Sequence, residues 1–171
     1  ASSAHDESAL LPHGQASSLI YVVEADAEAA QELALQLRYY GYEVEVFNHL
    51  DKFRTAVQLR PDAIILMDVE FPEDEMGGIL IMEQIQKELA QPARVIFIST
   101  HDAMAYRLGA VRAGGVAYFP KPINSTELID QLDLITASQI QEPFRVLIVD
   151  DSQTILAYHA AILEQAGMLV K

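Results

Sequence analysis

No cysteine occurs among the 171 residues, which excludes disulfide bonds and thiolate chemistry and is compatible with a reducing compartment. Basic residues are scarce: 11 Lys and Arg stand against 25 Asp and Glu, a formal charge of −14. That balance argues against direct nucleic-acid binding, because phosphate contacts need Lys and Arg. Long apolar runs are missing as well. No stretch approaches the ~18 residues of a membrane-crossing helix, and residues 1–18 lack the basic start and apolar middle of a secretory signal. The glycine patterns that cradle nucleotides, G-x-G-x-x-G and the P-loop, follow none of the apolar runs, which leaves a nucleotide-binding enzyme little support. The expectation is a soluble, cytoplasmic protein that touches neither membrane nor nucleic acid. An initiator Met is absent too, so a fragment of something longer is expected.

What is present begins with a repeat. The stretch that begins at residue 19 returns from residue 145, displaced by 126 positions: Leu37 matches Leu163, Gly41 matches Gly167, and Val44 matches Val170. An offset of that size is a domain, not a solenoid unit. Within the repeat, Glu24-Ala25 becomes Asp150-Asp151. The expected organisation is a leader or linker at 1–18, a complete domain at 19–137, a linker at 138–144, and the opening of a second domain at 145–171. The lone strand and helix of that second unit cannot bury their apolar faces unaided. They are expected to pack on the first domain or on another molecule, with a homodimer as one outcome.

Along the first unit, strands and helices alternate. Strands are expected at 19–23, 43–47, 63–67, 95–98 and 116–119. Helices are expected at 27–40, 50–59, 79–89, 103–113 and 125–137. Asp26 and Asn124 or Ser125 serve as caps, Gly41 and Gly114-Gly115 as stops, and Gly77-Gly78 as a break. Three strands are apolar on both faces, as buried parallel strands are when helices cover each side of a sheet. Five such pairs predict a doubly wound α/β fold with a five-stranded parallel sheet. Folds of this kind bind ligands at the carboxyl ends of their strands. There the sequence places Glu24 to Asp26, then Asp68, then Ser99-Thr100, then Lys121. Carboxylates suit a hard cation such as Mg²⁺. An aspartate beside it can attack a phosphoryl group while the lysine offsets the developing charge.

With these residues in view, the chain resembles the receiver domains of two-component response regulators over 19–137, with a second receiver opening at 145. Asp68 falls at the phosphoacceptor position. Pro72 and a glycine at 77 or 78 resemble the D-x-x-x-P-x-x-x-G pattern with one residue added. Ser99 matches the hydroxyl position, Lys121-Pro122 the Lys-Pro pair, and Tyr118 the aromatic switch. The resemblance implies strand order 2-1-3-4-5 and a cis Lys121-Pro122 bond. It also implies a histidine kinase or phosphotransfer protein as phosphodonor, and a downstream output domain beyond Lys171, any enzyme activity lying there and not in this segment. In the family, phosphorylation draws the hydroxyl toward the phosphoryl group and turns the aromatic inward, remodelling the face made by the fourth helix, fifth strand and fifth helix.

One departure stands out. Receivers carry two acids after the first strand, the second a direct metal ligand, and here that position is Ala25. Glu24, Asp26, Asp68 and Glu70 are therefore the metal-ligand candidates, with Glu73, Asp74 and Glu75 adding negative charge nearby. The second unit keeps its acidic pair, Asp150 and Asp151. Two functions remain open: a phosphoacceptor receiver, or a pseudo-receiver whose fold serves as a phosphorylation-independent interaction or dimerisation module. His101 is expected to be a solvated loop residue, Tyr39-Tyr40 to pack a helix end, and Arg107 and Arg112 to face solvent.

Overall fold

The computed structural model describes residues 18–139, together with the strand segments 145–146 and 169–170. Two compact units are distinguished, Ala1–Leu132 and Asp133–Lys171. Over residues 19–139, elements alternate in chain order: β1 (Leu19–Val23), α1 (Ala27–Tyr39), β2 (Glu43–Phe47), α2 (Leu50–Leu59), β3 (Ile64–Asp68), α3 (Gly77–Glu88), β4 (Arg94–Ser99), α4 (Met104–Arg112), β5 (Gly115–Pro120) and α5 (Ser125–Gln139). The strands form one sheet in the order β2-β1-β3-β4-β5, every pairing parallel. This is the expected doubly wound arrangement.

Burial follows from composition. All of β3 is buried, as is β1 beyond its first residue, whereas β2, an edge strand, exposes Glu43 and Glu45 and buries Val44 and Phe47. Because side chains alternate across a strand, Tyr21, Ile65, Met67, Val95 and Phe97 share one core with Phe53 and Val57 of α2 and Met82 and Ile85 of α3. Tyr21, Phe47 and Phe53 meet edge to face there, with ring centroids 5.0–6.5 Å apart, the geometry that ring quadrupoles favour.

Local signals explain the helix boundaries. The Asp26 carboxylate accepts from the N–H groups of Glu28 and Ala29 at the start of α1, and Asn124 does the same for Thr126 and Glu127 of α5. Gly41 and Gly114 have φ of 92° and 85°, the left-handed region that glycine enters without steric cost. Two expectations need correction. Gly77-Gly78 opens α3 instead of breaking the chain before it. A Cβ on Gly78 would lie 2.0 Å from the Asp68 carbonyl oxygen, so these glycines let the helix start directly against the end of β3. Tyr39 and Tyr40 pack edge to face on each other and remain exposed, at 87% and 53%.

Pro120 lies in β5, where an edge strand tolerates a missing donor, and the Lys121–Pro122 bond is cis. In the second unit, β6 (Arg145–Val146) and β7 (Leu169–Val170) pair in parallel, Arg145 with Leu169 and Val146 with Val170. The same register, 126 residues earlier, joins Leu19 to Glu43 and Ile20 to Val44 in β1 and β2. Asp150 and Asp151 lie outside the described residues, as do residues 1–17.

Candidate functional site

Parallel strands deliver their last residues to one edge of the sheet. Asp68 ends β3 and Ser99 ends β4, both buried, while Lys121 follows β5 directly. The Lys121 ammonium donates to Asp68 Oδ2 at 2.8 Å and to Glu24 Oε2 at 3.0 Å. It is thus the cation that joins three strand ends. The other Glu24 oxygen accepts from the Asp26 N–H at 3.1 Å.

Glu70, two residues past Asp68, reaches across to β4. Its N–H donates to Asp68 Oδ1 at 3.1 Å. Its Oε1 accepts from Ser99 Oγ at 2.6 Å, from Thr100 N–H at 2.8 Å and from Thr100 Oγ1 at 2.8 Å. Its Oε2 is buried and is without a hydrogen-bond partner among the described residues. Ser99 Oγ in turn accepts from the His101 N–H at 2.9 Å, and the His101 carbonyl accepts from the Tyr118 hydroxyl. His101 is more engaged than expected: its ring stacks on Tyr106 at 4.4 Å between centroids, and its Nε2 lies 3.7 Å from Glu70 Oε1. The Arg107 guanidinium, paired with Asp102, sits 4.9 Å over the Tyr118 ring.

Three carboxyl groups crowd one ammonium, and their protonation divides accordingly. Burial, reinforced by the neighbouring carboxylates of Glu24 and Glu70, pushes Asp68 up to about 9, against the pull of Lys121. Burial also opposes ionisation of Glu70, but Asp68, the Ser99 and Thr100 hydroxyls and the Thr100 N–H outweigh it and hold the group at about 2. Glu24 is lowered in the same way: burial is offset by Asp68, the Asp26 N–H and Lys121. Burial likewise disfavours the charged form of Lys121, yet Asp68 and Glu24 raise its pKa overall. At neutral pH the cluster therefore keeps its proton on Asp68.

As placed, these residues do not fit a divalent cation. Position 25 offers a methyl group, Asp26 is exposed and caps α1, Lys121 stands between Glu24 and Asp68, and Glu70 Oε1 already takes three donors. Among the described residues, no three His, Asp or Glu side chains are grouped to hold a metal. Of the four ligand candidates, Glu24, Asp68 and Glu70 thus meet in one network, and Asp26 faces the helix. Glu73 and Asp74 stand in a tight turn where Phe71 and Asp74 exchange backbone hydrogen bonds, and with Glu75 they are exposed. Sequence reasoning missed the grip of Glu70 on Ser99 and Thr100. The strand period carried no signal for it, because Glu70 lies past the end of β3.

A groove of about 400 Å³ opens beside the cluster, lined by Glu24, Glu32, Leu33, Asp68, Lys121 and Ile123.

The response regulator receiver domain family matches residues 20–133. Response regulator protein TodT of Pseudomonas putida is 32% identical over 112 residues, covering 66% of this chain and 48% of that protein. The chain spans about half the length of the curated relatives it matches. Among solved structures, a CheY-like receiver domain protein from Methanospirillum hungatei superposes with a TM-score of 0.65 at 22% identity, over 74% of this chain and 98% of that one. Chemotaxis protein CheY4 of Vibrio cholerae gives 0.63 at 20%, over 70% and 99%. Likeness at that identity shows the fold alone.

Proposed function

The chain belongs to the response regulator receiver family, and from that premise we propose that Asp68 accepts a phosphoryl group from a histidine kinase or phosphotransfer protein, switching a protein-interaction face. Receiver domains are signalling domains of two-component systems and not enzymes. The family typically binds Mg²⁺.

The observation that carries the assignment is the bridge from Lys121 to Asp68 and Glu24 at the carboxyl end of the sheet. A carboxylate oxygen of Asp68 attacks phosphorus, the bond to the donor's leaving group breaks, and the Lys121 ammonium offsets charge on the transferred oxygens. The nucleophile has to be ionised, so the proton on Asp68 leaves before the attack. Ser99, on the adjacent strand, supplies the hydroxyl that a phosphoryl oxygen would meet.

A second reading, the pseudo-receiver, is favoured by Ala25 and by the occupation of Ser99 by Glu70. The full chain, incubated with Mg²⁺ and either acetyl phosphate or beryllofluoride, separates the two when adduct at Asp68 is followed by mass spectrometry for the wild type and for Ala25→Asp. Adduct on the wild type supports the phosphoacceptor; adduct on the substituted protein alone establishes the pseudo-receiver. Residues 145–171 we read as the opening of a second receiver. The shared register of β1–β2 and β6–β7 supports that reading.

A further inference from the structure

We propose that Glu70 is an internal stand-in for the phosphoryl group: its carboxylate occupies Ser99 and the Thr100 N–H, the donors beside Asp68 that a phosphoryl oxygen would engage, so that Tyr118 is held inward before any phosphate arrives. The inference rests on the reading of this site as a receiver site with Ser99 as its switch hydroxyl. It goes beyond that reading in assigning the switch a resident anion.

The chemistry matches. A carboxylate, like a phosphoryl group, presents anionic oxygens to O–H and N–H donors, and charge-assisted bonds of this kind are short and strong. Glu70 Oε1 takes three donors at 2.6–2.8 Å. The anchoring is local to the phosphoacceptor, because the Glu70 N–H is fixed on Asp68 Oδ1. The carboxylate therefore approaches Ser99 from the Asp68 side, the direction from which a group attached to Asp68 would come.

The consequences run onward through one unbroken network. Ser99 Oγ donates to Glu70 and accepts from the His101 N–H. The His101 carbonyl accepts from Tyr118, whose ring lies under Arg107 of α4. An anion at one end thus ties the segment between β4 and α4 to β5 at the other. A phosphoryl group arriving on Asp68 would face an ionised carboxylate on its own donors, and Glu70 would have to withdraw.

The test compares the full-length wild type with Glu70→Ala by NMR, with no phosphodonor present. Loss of the carboxylate is expected to speed exchange of the Thr100 amide about tenfold and to move the Tyr118 ring resonances. Glu70→Gln, whose neutral amide oxygen accepts weaker bonds, is expected to restore only part of both. If Glu70→Ala does not fold, Glu70→Asp, one methylene too short to reach β4, replaces it. Unchanged Thr100 exchange and Tyr118 resonances in a folded variant overturn the proposal. A wild-type beryllofluoride adduct that moves Tyr118 as far as it moves in Glu70→Ala overturns it equally, since the switch would not have been set. Failure of the wild type to form any adduct counts against Asp68 as phosphoacceptor and leaves the phosphate-free comparison to decide the role of Glu70.

Discussion

At the scale of single residues, the site is governed by where one proton sits. With Asp68 protonated, Lys121 balances one of the two ionised glutamates; ionising Asp68 adds a second uncompensated charge in a buried position. Its pKa is raised to about 9 for that reason. Since only the carboxylate attacks phosphorus, adduct formation should accelerate with pH, by about tenfold per unit below that value, and level off above it. Glu24→Gln removes one of the neighbours that raise Asp68 and should shift the rise to lower pH. Rates of acetyl phosphate labelling measured from about pH 6.5 to 8.5 check this, and a flat profile would mean that Asp68 is already ionised at neutrality. Much of this was legible beforehand. That Asp68, Ser99 and Lys121 come together could be read because parallel strands bring their ends to one edge. The hold of Glu70 on Ser99 could not, since it depends on how the chain turns after β3, where side-chain direction no longer follows the strand period.

At the scale of elements, the same uncertainty of direction separates Glu24 from Asp26. Both acids follow β1, but only Glu24 turns to Lys121, while Asp26 is a helix cap with two N–H groups on one oxygen. Asp26→Ala should therefore lower stability by about 1 kcal/mol, and Asp26→Asn, which caps equally well, should leave it nearly unchanged. Neither should alter labelling of Asp68 by more than the change in folded fraction accounts for. Thermal melts beside the labelling rate decide the matter, and a labelling defect in a fully folded Asp26→Asn would return this residue to the phosphorylation machinery. Strands and helices themselves were readable from periodicity, with most boundaries within a residue or two. Gly77-Gly78 was misread because glycine pairs ordinarily interrupt helices, and only the approach of α3 to the Asp68 carbonyl makes them its first turn.

At the scale of the whole molecule, alternation of apolar strands with amphipathic helices sufficed to predict the parallel sheet, whereas its order, β2-β1-β3-β4-β5, followed only from the resemblance to receivers. The repeat added a relation that composition could not, and β6–β7 carries the same register as β1–β2. Net charge acts at this scale too. With 25 acidic residues against 11 basic ones, the molecule repels a small anionic phosphodonor, and Glu24, Glu70, Glu73, Asp74 and Glu75 concentrate that repulsion near Asp68. Salt screens exposed charges beyond a Debye length, about 10 Å at 0.1 M. Labelling by acetyl phosphate should accordingly speed up, by about twofold, as ionic strength rises from about 20 to 200 mM. A rate that falls over that range would mean that the approaching anion feels the Lys121 ammonium more strongly than the surrounding carboxylates. In that case the site, and not the surface, would govern encounter.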